Sequence, residues 1–204
     1  LKQFPNSLTL YTIQGAADAE LGRLDFAIDS YKKAIKIKPD FADAYYNLGA
    51  ALKSKGDLVA AVYNFKQAIK IQPDHADAFY NMGNILNHEG EFEAAIECFK
   101  QALKIKPDYA EAYNNMGNAL NDKGDQNAAI DSYKQAIKIM PNYAEAYNNM
   151  GNALSDKGEI EDAIDYFKKA IKIKPNYAEA YNNMGNALND KGDQNAAIDS
   201  YKQA

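Results

Sequence analysis

The stretch Tyr109–Ala136 reads YAEAYNNMGNALNDKGDQNAAIDSYKQA, and the same 28 residues return unchanged at Tyr177–Ala204. Within it Tyr113, Met116, Gly117 and Leu120 recur at i, i+3, i+4 and i+7, the spacing that gathers side chains on one face of an α-helix. Ala129, Tyr133, Ala136 and Ile137 repeat that pattern and predict a second helix. Gly124 lies between the two, where a residue that tolerates positive φ ends the first helix. Pro141, just beyond the stretch, stops the second helix, and Asn142 is suited to cap the next. Small residues at Gly117, Ala129 and Ala136 let the paired helices approach closely, while Tyr113 and Tyr133 fill the wider gaps.

Outward from this unit, the residues that interrupt regular structure are fully periodic. All six prolines, Pro5, Pro39, Pro73, Pro107, Pro141 and Pro175, stand 34 residues apart. The twelve glycines form two series with the same step: Gly15, Gly49, Gly83, Gly117, Gly151 and Gly185, then Gly22, Gly56, Gly90, Gly124, Gly158 and Gly192. Self-similarity at such a period marks a repeat array rather than a globular domain with one closed core. Counting position 1 at Leu8 gives a single array over 1–204, with repeats 8–41, 42–75, 76–109, 110–143 and 144–177 and a partial sixth, 178–204. Residues 1–7 read as the end of a preceding helix or a leader. Asn142 with Glu145 has the spacing of a capping box, as do Asp40/Asp43, Asp74/Asp77, Asp108/Glu111 and Asn176/Glu179. One hairpin cannot bury its own apolar surface, so the stable object is a stack held by interfaces between repeats.

Composition narrows the partners. With 23 Lys+Arg against 28 Asp+Glu the net charge is -5, so no basic field attracts a phosphate backbone and nucleic acid is not expected as a partner. The single cysteine, Cys98, forms no internal disulfide, and two histidines, His75 and His88, give no metal-ligand spacing. A reducing, cytoplasmic location is compatible with this. No apolar run of membrane-spanning length occurs and the start has no signal-peptide pattern, so membrane is not expected either. No cofactor is implied.

The chain resembles the tetratricopeptide repeat family over essentially its whole length. The family pattern is matched by Tyr147, Met150-Gly151, Leu154, Ala163, Phe167, Ala170 and Pro175. The resemblance implies an all-α fold, a right-handed superhelical solenoid of antiparallel helix pairs whose first helices line a concave groove. The first repeat departs from the pattern with Gln14 and Asp18 on the apolar face, as an N-terminal capping repeat or an altered interface would.

A helical wheel of the first helix sets positions 2, 6, 9 and 13 opposite its apolar face. Position 6 carries Asn47, Asn81, Asn115, Asn149 and Asn183; position 9 carries Ala50, then Asn84, Asn118, Asn152 and Asn186. Asparagine suits a helix interior poorly because its side chain competes for backbone hydrogen bonds. A row of carboxamides offers the donors and acceptors that hold an extended peptide backbone irrespective of sequence. Packed helices lie about 8–10 Å apart and an extended chain advances about 3.3 Å per residue, so one rung serves roughly three ligand residues. At about 0.5–1.5 kcal/mol net per hydrogen bond, less the cost of ordering the ligand, the expected affinity is micromolar. The alternative is that the asparagines are solvated residues copied by duplication. The position-2 carboxylates, Asp43, Asp77, Glu111, Glu145 and Glu179, read as capping residues before ligand contacts.

The motif at Asp43–Asn47 and Glu111–Asn118 resembles the repeats of O-linked N-acetylglucosamine transferases in particular. That resemblance implies a role for the position-6 asparagines as a ladder gripping substrate peptides; the first repeat has Ile13 there instead. Chaperone-binding members of the family clamp a terminal carboxylate with basic residues, and positions 2, 5, 6 and 9 carry none here, so no carboxylate clamp is expected. The groove is acidic to neutral and tolerates basic or polar segments. Lysines ending the second helices, such as Lys36 and Lys172, complement the helix dipole. Acid pairs are abundant but lack the apolar pocket that would split their pKa values, and no catalytic residue is assigned. Three functions follow: a non-enzymatic scaffold binding a protein or peptide in the groove, the substrate-recognition region of a larger transferase, and an array that associates head to tail. The last draws on Leu1 at repeat position 28 and Ala204 at position 27, which put one molecule's end in phase with another's beginning.

Overall fold

A computed structural model describes residues 7–204. Pro5 and Leu1, and with them the reading of 1–7 up to Ser7, lie outside the described residues. Among those described, every regular element is an α-helix. The first helices of the repeats are α1 (Leu8–Glu20), α3 (Ala42–Lys55), α5 (Ala76–His88), α7 (Ala110–Asp122), α9 (Ala144–Asp156) and α11 (Ala178–Asp190). The second helices are α2 (Leu24–Ile37), α4 (Leu58–Ile71), α6 (Phe92–Ile105), α8 (Gln126–Ile139), α10 (Ile160–Ile173) and α12 (Gln194–Tyr201). They fall into two compact units, Leu1–Gly90 and Glu91–Ala204. In the first unit α1 packs on α2, α3 on α4, and α2 and α4 on the first helices that follow them. In the second, α7 packs on α8, α9 on α10 and α11 on α12, while α6, α8 and α10 each pack on the next first helix.

The turn within each pair is set by glycine. Gly124 has φ +93° and Gly158 +79°, the left-handed region where a Cβ is penalised. The other glycine series serves a close approach. A Cβ on Gly117 would stand 2.5 Å from the ring of Tyr133, and one on Gly151 equally close to Phe167. The small residue thus makes room for an aromatic ring of the partner helix. Around it the core is alanine-rich: Ala112, Ala146, Ala129, Ala163, Ala136 and Ala170 are fully buried, which brings backbones together at little side-chain entropy cost.

The capping boxes do not form. Pro141 and Asn142 occupy a turn closed by Tyr143 N–H donating to the Met140 carbonyl at 3.1 Å, so the N-cap is Tyr143 and its side chain makes no capping bond. Phe41, Tyr109 and Tyr177 stand in the same place with the same result. His75 and Ser7 do accept there, through Nδ1 from Ala78 N and through Oγ from Leu10 N, each at 3.3 Å. The one-residue shift moves Asp43, Glu111, Glu145 and Glu179 into the first helical turn, where they complement the dipole. Side-chain caps appear instead on second helices, with Asp57, Asp125 and Asp193 accepting from Ala60, Ala128 and Ala196.

The polar face of α1 is an altered interface and not a solvated one. Asp18 is buried and pairs with Arg23 at 2.9 Å, and Gln14 Oε1 is buried without a hydrogen-bond partner. Cys98 is buried on α6.

Candidate functional site

The asparagine rows are only partly turned to solvent. In the second unit Asn149 Nδ2 on α9 donates to Asn114 Oδ1 and Asn118 Oδ1 on α7, each at 3.1 Å. Asn183 on α11 donates likewise to Asn148 Oδ1 on α9 at 3.1 Å. Asn114 Nδ2 reaches Asn115 Oδ1 at 3.1 Å, and Asn148 Nδ2 reaches Glu179 Oε1 at 3.0 Å. Asn118 Oδ1 also accepts from the Tyr133 hydroxyl at 2.9 Å, and Asn186 Oδ1 from Tyr201 at 2.8 Å. A wheel with one apolar face misses this seam, because each first helix here has a second helix behind it and another first helix beside it.

In the first unit the same seam is built from different side chains. Asn81 Nδ2 donates to the Tyr46 hydroxyl at 3.3 Å and to the Asp77 carbonyl at 3.0 Å. Its Oδ1 accepts from Lys53 Nζ at 2.9 Å. Burial holds the Lys53 ammonium below the usual lysine range, and it raises the Tyr46 phenol, with Asp77 adding to the effect. Asn47 and Asn84 are half-buried; Asn84 lines a cavity of about 270 Å³ with Lys53, Leu58, Ile85 and His88.

The first-helix face of the second unit holds a larger cavity of about 450 Å³. Its walls bring together Asn152, Asn183 and Asn186 from the rows with Asn121, Ser155, Asp156 and Asp190 from the ends of α7, α9 and α11, above Phe167. Asn121 Oδ1, Ser155 Oγ and, in the first unit, Asn87 Oδ1 are buried without a hydrogen-bond partner. All three sit at repeat position 12. Leaving such an atom unpaired costs about 1–3 kcal/mol, and the packing of the repeats does not require it. Among the described residues no group of three or more His, Cys, Asp or Glu is placed to hold a metal ion, and no helix is long and apolar enough to cross a membrane.

Position 5 and position 12 escaped the sequence reading. The signal for position 5 was the paired Asn in Asn114-Asn115 and Asn148-Asn149, since adjacent helix residues stand about 100° apart and one of the two turns toward a neighbouring helix. Position 12 gave no such signal: Lys53, Asn87, Asn121 and Ser155 share neither charge nor size. The position-2 acids are not only dipole partners either, for Glu145 pairs with Lys174 at 3.3 Å.

Helix pairs joined at a left-handed glycine, with an aromatic ring seated on a glycine of the partner helix, define a class of all-α repeat proteins. The chain belongs to the tetratricopeptide repeat family: models described as TPR repeat match residues 15–56, 51–87, 83–124 and 117–158, and models described as tetratricopeptide repeat match 144–177 and 166–199. Among solved structures, MamA is 30% identical, with a TM-score of 0.75 over 84% of this chain and 94% of that one. Pseudomonas aeruginosa pilF is 17% identical, with a TM-score of 0.82 over 95% of this chain and 88% of that one. YrrB, described as a TPR protein with an unusual peptide-binding site, is 22% identical, with a TM-score of 0.72 over 87% of this chain and 91% of that one. No curated protein sequence matches the chain.

Proposed function

We propose that this protein is a non-enzymatic interaction scaffold that holds an extended peptide or protein segment against its first helices through the asparagine rows. The observation that carries the reading is the 450 Å³ cavity, where three row asparagines, Asn152, Asn183 and Asn186, converge with further polar groups and no lysine or arginine. YrrB's description as peptide-binding agrees with it. The row has two parts in this reading. Asn115 and Asn149 shape the seam, whereas Asn152 makes no hydrogen bond among the described residues and is available to a ligand. The repeat boundaries drawn from the sequence and a cytoplasmic location belong to the same proposal. Titration of a library of polar peptides against the protein and its Asn152→Ala/Asn186→Ala variant tests it. A loss of affinity supports the rows as the contact surface, and unchanged affinity overturns it.

Two further readings each have an observation in favour. The Asp43–Asn47 and Glu111–Asn118 motifs resemble transferase repeats and favour a substrate-recognition region; the complete reading frame decides it. Exposed Leu10 and Ile13 on α1 and Ile198 on α12 favour head-to-tail self-association. Light scattering that finds only monomer at high concentration overturns that reading.

A further inference from the structure

Three first helices of the second unit close on an aspartate that is followed at the C-cap by a lysine. The C-terminal end of a helix carries partial negative charge and is ordinarily completed by a cation. Here α7 ends at Asp122, α9 at Asp156 and α11 at Asp190, and Lys123, Lys157 and Lys191 at the C-caps supply that cation. The first unit has Ser54 and His88 at the place of these aspartates, and Lys55 at the place of those lysines. Among the described residues neither Asp156 nor Asp190 is in an ion pair, because the neighbouring C-cap lysines Lys123, Lys157 and Lys191 pair with Glu93, Glu159 and Glu161 instead.

Those two carboxylates line the 450 Å³ cavity together with Asn121, Asn152, Ser155, Asn183 and Asn186, and no cationic side chain lines it. Asn121 Oδ1 and Ser155 Oγ, on two of its lining residues, have no hydrogen-bond partner. The site therefore has two carboxylates, several carboxamides and spare acceptors, spread over a space the size of one side chain with its neighbours. The spread matters. The acids do not gather into a metal-binding group, whereas a guanidinium presents five donors in a planar fork that serves several separated acceptors at once.

We infer that this cavity is a specificity pocket for a basic side chain, arginine before lysine, of a peptide lying on the first helices of the second unit. The inference rests on the proposed peptide-binding function and adds to it the charge of the residue selected. The corresponding place in the first unit, with Lys53 and His88, has the opposite character and rejects a cation.

The test uses the full chain and three capped peptides identical except for a central Arg, Gln or Glu. The Arg peptide is expected to bind about tenfold more tightly than the Gln peptide at low salt, since each partly exposed charge pair contributes modestly, and the Glu peptide more weakly than either. Asp156→Asn/Asp190→Asn abolishes the Arg preference, so that the Arg and Gln peptides then bind alike, while Asp40→Asn, an exposed acid in the first unit, leaves the preference intact. Because the double substitution removes charge from two helix C-termini, its melting temperature is not lowered. Equal binding of the Arg and Gln peptides, or an Arg preference that survives the double substitution, overturns the pocket alone. Failure of all three peptides to bind overturns the peptide-binding function beneath it. Free arginine amide that binds as tightly as the Arg peptide also overturns it, in favour of a small-cation site.

Discussion

At the scale of single residues, the asparagines separate by what their amides already hold. Asn149 Nδ2 serves two acceptors on the neighbouring repeat; Asn118 Oδ1 keeps the Tyr133 hydroxyl as a donor, but Asn149→Ala strands the buried Asn114 Oδ1 and is expected to destabilise the protein by about 1–3 kcal/mol. Asn152 holds nothing, and Asn152→Ala is expected to leave denaturant midpoints unchanged while it weakens peptide binding. Urea unfolding of both variants beside a binding titration checks the contrast; equal stability losses would refute the division. Gly117 is constrained by the Tyr133 ring, 2.5 Å from where its Cβ would stand, so Gly117→Ala should cost about 1–3 kcal/mol by overpacking. Tyr133→Phe is expected to cost far less, because Phe65, Phe99 and Phe167 fill the equivalent place and are fully buried without a hydroxyl.

Among the helices, the ends decide more than the middles. Gly158 holds φ +79° at the turn from α9 to α10, with nothing within 4 Å of a Cβ placed there. Space is open and only the backbone objects, so Gly158→Ala should cost about 1 kcal/mol, readable as a small drop in the thermal midpoint with no change in fold by circular dichroism. Asp125 caps α8 through Ala128 N, and Asp125→Ala should cost about 1 kcal/mol as well. By contrast, Asp40, Asp74, Asp108, Asn142 and Asn176 precede the N-caps by one residue. Their replacement by alanine has no cap to remove.

For the molecule as a whole, buried tyrosines tie stability to alkaline pH. Burial, with Asp122 and Asp156 nearby, raises the Tyr133 phenol; burial and Glu179 with Glu145 raise Tyr177; burial also raises Tyr31 and Tyr166. Each folded-state value lies above the unfolded one of about 10. Their contribution is therefore fully present below pH 10 and is lost as pH climbs through the folded-state values. Thermal midpoints should hold steady up to about pH 10 and fall above it; a midpoint flat to pH 12 would contradict the burial of these hydroxyls.

How much of this was legible in the sequence follows from which interactions are local. Helix identity and the left-handed glycines were readable from spacing, because each is decided within one repeat; the seating of the Tyr133 ring on Gly117 was not, since spacing assigned that ring to the wider gaps. The capping boxes misled because the proline turn places the helix start one residue later than the motif suggests. The groove chemistry was half legible: the rows at positions 6 and 9 stood out, while position 12, where the unpartnered acceptors sit, did not.

The duplicated stretch draws the line between the two sources of information. Tyr109–Ala136 and Tyr177–Ala204 have the same sequence, and both form a first helix, a left-handed glycine and an aspartate-capped second helix. The sequence by itself determined that much, since those features depend on backbone preference and on contacts a few residues away. Their polar side chains nevertheless differ. Asn114 is 4% exposed and accepts from Asn149, whereas its copy Asn182 is exposed; Tyr133 is 2% exposed and Tyr201 41%. Only the tertiary structure decided which copy holds its asparagines in a seam and which presents them, because burial is conferred by the neighbouring repeat and not by the residue that is buried.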